Sequence, residues 1–546
     1  MLRSANLQNA QTEIFDVCII GGGATGAGCA LDAALRGLKV IVVESEDFSS
    51  ATSGKSTKLI HGGVRYLEQA VKKLSLEQFK MVKKGLKERK TLLQLAPHLT
   101  SPISLITPVK NNFAGLYYFI GLKVYDMLSG NQTLGSSKWL NKKNTLHKIP
   151  TLKSDFASAI MYYDGQIDDQ RYGMALIQTA CKNGAIALNH TRVEEFEKNP
   201  AGELIALKAT NMLNGDKVHI NAKSFINATG PFSDHIRLMA NNSLQPRVRV
   251  SKGVHIILPK EIMPSKDALL IPETADGRLV FAIPYQNYLL VGTTEDETAL
   301  TEEEFGPTQK EIEYILKYVN QYLQGNIVAS QVKAGFGGLR PLVQANSNTN
   351  TKELVRDHII ETDNSSKLIS ILGGKWTTYR LMAKDTLDVC EMQLKGTTTA
   401  CTTHLKILEG GQNFSANLKN DILAIINLPT DVVDHLLSKY GDKAPVIALI
   451  AAKTEKLSQR IITGSAYTYA ELLYVMENEM ACTVKDVVAR RFGAQLLNWQ
   501  QTLELIPLVG NEMAAYFSWT EKEKQNNTDL YLLEMQAMIK NASLTI

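Results

Sequence analysis

The chain has few cysteines, no long apolar stretch and almost no net charge, and each of these absences excludes a class of protein. Its six cysteines are scattered without a C-x-x-C pair, which argues against a disulfide framework or a zinc site and favours a reducing compartment. The most apolar stretch, residues 113–122, ends at Lys123 and is too short for a spanning helix, which needs about 20 residues. With 59 basic and 55 acidic residues the net charge is +4, so bulk charge predicts no nucleic-acid binding.

Two further absences concern targeting and metals. Residues 1–15 lack the apolar core of a secretory signal, so we expect a cytoplasmic protein. Among the ten histidines no pair has the i, i+4 spacing of a helical metal site, and we expect no metal ion.

The composition is that of an ordinary globular protein, with 44 % hydrophobic and 21 % charged residues. At about 150 residues per domain, a chain of 546 residues predicts two to four domains. A Thr- and Gly-rich stretch at 395–410 has the character of a linker, and the segment after it has helical patterns throughout. We therefore expect an all-helical C-terminal domain over 400–546, in which residues 483–486 (TVKD) resemble a capping box.

A βαβ unit with a glycine fingerprint begins the chain. Residues 16–21 (DVCIIG) predict a buried strand, the turn contains Gly21, Gly23 and Gly26, and a second strand ends at Glu44. In such a unit a pyrophosphate lies at the helix N-terminus and the acidic residue binds a ribose hydroxyl. The alternative is a glycine-rich turn that only packs. The pattern does not distinguish NAD from FAD, although its place near the start of the chain slightly favours FAD.

Six further blocks together resemble the FAD-dependent glycerol-3-phosphate dehydrogenases. They are DFSSATSGKSTKLIHGGVRYLE at 47–68, NATGP at 227–231, KGVH at 252–255, GGLRPL at 337–342, GGKWTTYR at 373–380 and, in the C-terminal domain, TVKDVVARR at 483–491. The fourth block departs mildly from the family, which more often has Val before the Arg-Pro-Leu core. Because no D-x-D-x-D-G calcium loop is present, the sequence resembles the bacterial form more than the calcium-regulated mitochondrial one.

The resemblance implies an α/β fold, with a glutathione-reductase-like FAD-binding domain, an antiparallel β-sheet substrate cap and the C-terminal all-helical domain. We expect the FAD-binding domain to be discontinuous, over 14–90, 165–250 and 330–395. The cap would be formed by 91–164 and 251–329.

The resemblance also implies which residues bind FAD. They are the fingerprint residues Gly21, Gly23, Gly26 and Glu44, the loop residues Thr52, Ser53, Ser56, Lys58, His61 and Gly62, and Gly230, Gly374 and Thr377 from later blocks. A polar loop that binds no ligand is the alternative for residues 52–62.

The implied substrate is sn-glycerol 3-phosphate, which needs cations for its phosphate and a base for its C2 hydroxyl. Arg340 matches the family's substrate arginine, and His255 is the general-base candidate because neutral imidazole accepts a proton near pH 7. The remaining substrate-binding residues implied are Arg65, Tyr66, Thr293, Thr294 and Lys375. Three of these residues have a plain alternative: Arg340 as a surface arginine, His255 as a histidine packed in the core, and Lys375 as a lysine that simply starts a helix.

The family passes electrons from FAD to membrane quinone, and we expect a protein bound peripherally to the inner face of the cytoplasmic membrane. Residues 72–90 are rich in lysine around an apolar stripe, and the aromatic stretch 113–122 follows, as suits an anionic lipid surface. The alternative for 72–90 is a core-packed helix with a solvated lysine face. Two other functions stay open: a glycerophosphate oxidase that makes hydrogen peroxide, and a non-catalytic flavoprotein. A homodimer is neither predicted nor excluded.

Overall fold

A computed structural model describes residues 3–63, 76–272, 274–275, 277–301, 304–344 and 358–545. The strands are β1 Ile14–Ile20, β2 Val40–Val43, β3 Leu59–Ile60, β4 Thr100–Val109, β5 Lys138–Asn141, β6 Ser158–Ile167, β7 Ile186–Leu188, β8 Thr191–Lys198, β9 Leu204–Asn211, β10 Lys217–Asn227, β11 Val248–Pro259, β12 Ala268–Ile271, β13 Val280–Tyr285, β14 Tyr288–Gly292, β15 Asp296–Glu297, β16 Ala334–Val343, β17 His358–Thr362 and β18 Ile369–Gly373.

The α-helices before residue 400 lie beside these strands or connect them. They are α1 Arg3–Thr12, α2 Ala24–Leu35, α3 Leu76–Leu95, α4 Asn112–Ser129, α5 Lys142–Lys148, α6 Asp169–Lys182, α7 Ser233–Ala240, α8 Gln309–Tyr322 and α9 Tyr379–Lys395.

The first sheet is the predicted nucleotide-binding sheet. Its strand order is β17-β18-β10-β1-β2-β7, with the β8–β9 hairpin beside β10, and the pairs from β18 to β7 are parallel. The strands β1 and β2 are fully apolar at their centres, as expected for parallel strands covered by helices on both faces. On one face α2 contacts α6 and α9. The fingerprint turn directly follows β1, so it lies at the carboxyl end of a central strand.

The second sheet is the predicted cap. Its order is β15-β11-β14-β13-β12-β4-β6-β3, with β16 beside β11 and β5 beside β6. Within the described residues its pairs are antiparallel, as expected for the cap, except β12 with β4, which is parallel. The strand β16 pairs with β11 along its whole length, although the predicted boundaries placed residues 330–395 in the FAD-binding domain. Its glycines and its Arg-Pro core gave no signal of which sheet it would join.

Beyond residue 400 the described regular elements are helices, which confirms the predicted C-terminal domain. They are α10 Leu418–Ile425, α11 Thr430–Tyr440, α12 Ala444–Ala451, α13 Glu455–Ser458, α14 Tyr469–Asn478, the π-helix Asp486–Arg491, α15 Ala494–Leu497, α16 Trp499–Phe517 and α17 Glu521–Asn541. The capping box is also present, because the Asp486 N–H donates to Thr483 Oγ1 at 3.1 Å and the Thr483 N–H donates to Asp486 Oδ2 at 2.9 Å.

The lysine-rich segment forms α3, and its apolar stripe packs inward. Val82 and Leu86 are buried with Tyr125 of α4, while Lys80, Lys83, Lys84 and Lys87 are exposed. The core-packed alternative is therefore correct for the apolar face of α3. None of the helices within the described ranges is long and apolar enough to cross a membrane.

The six cysteines are free thiols. Cys18, Cys29 and Cys390 are buried, and the other three are partly buried. Burial raises the pKa of every one of these thiols, because the thiolate would lose its hydration.

Candidate active site

A cavity of about 1520 Å³ lies between the two sheets. Its wall includes Ile20, Val43 and Gly373 at the carboxyl ends of β1, β2 and β18, and His255 and Arg340 from the second sheet. Ligands of open parallel sheets bind at this end of the strands.

The fingerprint turn has the geometry that a pyrophosphate needs. Gly21 has a φ of +105°, and Gly23 is the N-cap of α2, with the Ala24 N–H donating to Ser53 Oγ at 2.9 Å. Gly21 and Gly23 line the cavity. A Cβ on Gly26 would lie 1.8 Å from the Gly21 carbonyl oxygen, so the third glycine packs the helix against the strand end. The turn therefore fits the FAD pyrophosphate, with the positive end of α2 at the cavity wall.

Glu44 lies at the end of β2 on the cavity wall. Its Oε2 accepts from the Gly22 N–H at 2.7 Å and its Oε1 accepts from the Glu46 N–H at 3.0 Å. Burial raises the pKa of this carboxyl, although the two backbone donors act in the opposite direction. The carboxylate thus braces the glycine turn, and its contact with a ribose stays a prediction.

The loop after β2 follows the predictions only in part. Thr52, Ser53, Ser56 and His61 line the cavity, whereas Lys58 and Gly62 do not. Thr52 also connects the two sheets, since its Oγ1 donates to the carbonyl of Leu339 at 2.6 Å.

Lys58 forms a buried ion pair, and its contact with the cofactor stays a prediction. Its Nζ lies 2.5 Å from Asp169 Oδ1 and donates to the Gly54 carbonyl at 2.8 Å. A buried ammonium group needs such partners, and Asp169 at the start of α6 is more than 100 residues away in sequence. Local sequence therefore gave no signal of it.

The Gly62 N–H donates to the Tyr125 hydroxyl of α4 at 2.9 Å, and a contact of Gly62 with the cofactor likewise stays a prediction. Tyr125 in turn donates to Asp164 Oδ1 at 2.9 Å, and Arg89 Nη1 donates to the same oxygen at 2.6 Å. A Cβ on Gly62 would lie 2.6 Å from the Tyr125 oxygen. The neighbours His61 and Gly63 line the cavity, as does Asp164, so this buried network supports the cavity wall.

His255 lies on β11, buried and facing the cavity. Its Nε2 is 3.0 Å from the Thr57 hydroxyl, and its ring stacks on Phe336 at 5.1 Å between centroids. Its Nδ1 is buried without a hydrogen-bond partner in the described residues. Burial lowers the pKa of His255 to about 3, and the charges of Arg340 and Lys58 act in the same direction. The imidazole is therefore neutral near pH 7. The prediction missed Thr57, whose only signal was its place in the Ser- and Thr-rich loop.

Arg340 on β16 is held in place by the residues around it. Its Nη2 donates to Thr293 Oγ1 at 2.8 Å, and its Nη1 donates to the Thr294 carbonyl at 3.3 Å. The guanidinium packs on Gly253, where a Cβ would lie 2.2 Å from Nη2. Thr294 also fixes β11, because its Oγ1 accepts from the Val254 N–H at 3.1 Å. The structure thus brings Arg340, Thr293 and Thr294 together.

The remaining predicted residues are distributed between the cavity wall and the undescribed segment. Gly230, Gly374, Lys375 and Thr377 line the cavity. Thr377 accepts a hydrogen bond from the His61 N–H at 3.2 Å, which joins two predicted blocks. Arg65 and Tyr66 lie outside the described residues.

Some cavity residues were not predicted at all. Tyr162 and Asp164 face the cavity together because they are two residues apart on β6, and Lys55 and Glu304 line it from two different loops. The period-2 spacing on β6 was the only local signal of these four.

The fold and this site define a flavin-binding oxidoreductase, and comparison with known proteins supports the assignment. Residues 16–380 match the family described as FAD dependent oxidoreductase, and residues 401–524 match the C-terminal domain of alpha-glycerophosphate oxidase. FAD is the cofactor of this fold, and the fit of the glycine turn agrees with it.

Individual relatives narrow the family. The chain is 42 % identical to the probable mitochondrial glycerol-3-phosphate dehydrogenase of Caenorhabditis elegans, over 94 % of this chain and 72 % of that one. It is 38 % identical to the human mitochondrial glycerol-3-phosphate dehydrogenase, over 96 % of this chain and 74 % of that one. The chain belongs to the FAD-dependent glycerol-3-phosphate dehydrogenase family.

Solved structures agree on the architecture. The glycerol-3-phosphate dehydrogenase of Bacillus halodurans, complexed with FAD, superposes with a TM-score of 0.80 at 28 % identity, over 100 % of this chain and 99 % of that one. The L-alpha-glycerophosphate oxidase of Mycoplasma pneumoniae shares the fold at 17 % identity, with a TM-score of 0.55, over 70 % of this chain and 95 % of that one. Relatives of both mitochondrial and bacterial origin match, so the bacterial form stays a prediction.

Proposed function

We propose that this protein oxidises sn-glycerol 3-phosphate to dihydroxyacetone phosphate and passes the electrons to a membrane quinone. The observation that carries the proposal is the placement of His255 and the cationic Arg340 on paired strands, in a cavity whose other end has the FAD turn. The names of the relatives supply the substrate.

The two residues would divide the work at C2 of the substrate. When bound, FAD supplies the two-electron acceptor for the hydrogen at C2. His255 would take the proton of the C2 hydroxyl at Nε2, the atom that now contacts Thr57. Arg340 would stabilise the negative charge that develops on the C2 oxygen.

The phosphate would bind to cations on the cavity wall. Lys375 lies there at the start of the turn Trp376–Thr378. Its ammonium group would bind the phosphate dianion by charge attraction. Arg65 and Tyr66 would complete this site, as the resemblance implies.

Attachment to anionic lipid would use α4 together with the lysines of α3. Phe113 is 85 % exposed and Ile120 56 %, and Leu116 and Tyr117 between them are also exposed, at the i, i+3, i+4, i+7 spacing of one helix face. The exposed lysines on the packed neighbour α3 supply the matching positive charge. Such a surface would place the protein on the inner face of the cytoplasmic membrane, where quinone is available.

The test is anaerobic bleaching of the flavin spectrum of the purified holoprotein by sn-glycerol 3-phosphate. Wild type should bleach, whereas Arg340→Ala should stay yellow and lose 30- to 1000-fold in kcat/KM, since one charge-assisted contact in the transition state is worth about 2–4 kcal/mol. Arg340→Lys is the matched control. It should recover only a small part of the lost kcat/KM, because lysine lacks the planar guanidinium that can donate two parallel hydrogen bonds. A wild type that does not bleach, or a folded Arg340→Ala with normal turnover, would refute this function.

A second measurement identifies the electron acceptor. With a short-chain quinone we expect rapid reoxidation of the reduced protein, and with oxygen only slow formation of hydrogen peroxide. Stoichiometric peroxide at the rate of turnover would instead make this protein an oxidase.

A further inference from the structure

The block at residues 483–491 belongs to the helical domain, yet it reaches the wall of the FAD cavity. Its last two residues, Arg490 and Arg491, end the π-helix Asp486–Arg491 and are both buried. Each arginine makes a bidentate ion pair with a carboxylate in a different loop. Neither ion pair has a role in the reaction proposed above.

Arg490 forms an ion pair with Glu304, in the cap loop between β15 and α8. Its Nη1 and Nη2 lie 3.1 and 2.9 Å from Oε1 and Oε2 of Glu304. The same carboxylate is 2.8 Å from Lys55 Nζ and 2.9 Å from Lys485 Nζ. Glu304 and Lys55 both line the cavity, so three parts of the chain meet at one carboxylate on its wall. Burial opposes ionisation there, but the charges of Arg490, Lys485 and Lys55 hold the pKa of Glu304 well below its usual range.

Arg491 forms an ion pair with Asp47, in the loop that follows β2. Its Nη1 lies 2.5 Å from Asp47 Oδ2 and its Nη2 lies 3.0 Å from Asp47 Oδ1. Glu44, Glu46 and Ser49 of this loop line the cavity on the side of the glycine turn. Consecutive arginines thus hold two walls of the cavity, one from each sheet-containing region.

These contacts are rigid because they are buried and bidentate. The side chains of Arg490, Glu304, Arg491 and Asp47 are at most 6 % exposed. Removing one partner of such a pair leaves an uncompensated buried charge, which is strongly destabilising.

We propose that Arg490 and Arg491 form a clasp through which the C-terminal helical domain keeps the cavity closed around FAD. They are positioning residues, which act through Glu304 and Asp47. The role of the helical domain is then to retain the cofactor. This role is separate from the chemistry at C2 and does not depend on which substrate the site oxidises.

The test measures release of FAD from the full-length holoprotein, followed by the rise of flavin fluorescence on dilution. Arg490→Gln and Glu304→Gln should each release FAD at least tenfold faster than wild type. The matched control is Arg36→Gln. Arg36 is equally buried and pairs with Asp32 at 2.7 Å and with Glu391 at 2.9 Å, between α2 and α9, and none of these three residues lines the FAD cavity. Its release rate should stay within twofold of wild type.

A milder variant guards against misfolding. Lys485 is 27 % exposed and also pairs with Glu534 at 2.7 Å, and Lys485→Gln leaves the Arg490 pair in place, so a two- to fivefold faster release is expected. Release within twofold of wild type in Arg490→Gln, or equal acceleration in Arg36→Gln, would overturn the clasp. No substrate is used, so this result is independent of whether glycerol 3-phosphate bleaches the flavin.

Discussion

The backbone N–H of Gly62 donates to the hydroxyl of Tyr125, which joins the inner face of α4 to a turn on the cavity wall. The Tyr125 hydroxyl also donates to Asp164, and each of these two hydrogen bonds contributes about 0.5–1.5 kcal/mol. Tyr125→Phe should therefore loosen the His61–Gly63 turn and raise the KM for glycerol 3-phosphate two- to tenfold. The content of FAD and kcat should change less than twofold. Steady-state kinetics with a dye acceptor measures both constants.

Tyr440→Phe is the control for that variant. The Tyr440 hydroxyl is also buried and donates to a carboxylate, Glu471 Oε1 at 2.7 Å, but inside the helical domain. An equal rise of KM in both variants, or none in Tyr125→Phe, would mean that the hydroxyl of Tyr125 only stabilises the fold.

Gly23→Val should abolish binding of FAD. A Cβ at this position would already lie 2.9 Å from Ser53 Oγ, and the two further methyl groups of valine would enter the space in front of the α2 N-terminus. The flavin absorbance of the purified protein, relative to its absorbance at 280 nm, measures the loss. Gly121→Val on α4, where a Cβ meets nothing within 4 Å, should keep its flavin. Stoichiometric flavin in Gly23→Val would disprove the phosphate role of this turn.

Replacement of Lys80, Lys83, Lys84 and Lys87 by glutamine should weaken binding to anionic vesicles at least tenfold. Each lysine near such a surface contributes about 1 kcal/mol, which salt screens. Co-sedimentation with vesicles measures the change, and dye-linked activity should be retained. A control with four exposed lysines elsewhere, Lys310, Lys333, Lys453 and Lys522, has the same change of net charge and should still bind. If binding is equal in both variants and insensitive to salt, the lysines of α3 do not bind lipid, and α3 is only a core-packed helix with a solvated face.

Acid should destabilise the fold through two buried histidines. Burial lowers the pKa of both His98 and His255 to about 3, whereas in the unfolded chain both bind a proton below about 6.5. The unfolded state therefore takes up protons first, and stability falls as the pH drops from 6.5 towards 3, by up to about 1.4 kcal/mol per pH unit for each group. Melting temperatures between pH 7 and 5 measure this slope. His98→Gln should reduce it, and an unchanged slope would show that His98 does not contribute.

Local patterns predicted what local geometry determines. Gly21, Gly23 and Gly26 lie within one strand, turn and helix, so their spacing alone predicted the turn. Lys58 is different, because its partner Asp169 lies on another element, and no pattern near Lys58 distinguishes a buried ion pair from a cofactor contact. The lysines of α3 were correctly placed on its surface, but only the packing of α4 shows which apolar residues stay outside. The arrangement of the two sheets around the cavity follows from long-range pairing, which the resemblance supplied and periodicity did not.

The six free thiols have a consequence for chemical durability. A reduced flavin that meets oxygen generates peroxide within the same molecule. Peroxide oxidises thiolates, and a raised pKa keeps each cysteine as the slower-reacting thiol at neutral pH. The burial of these side chains therefore slows their oxidation by peroxide.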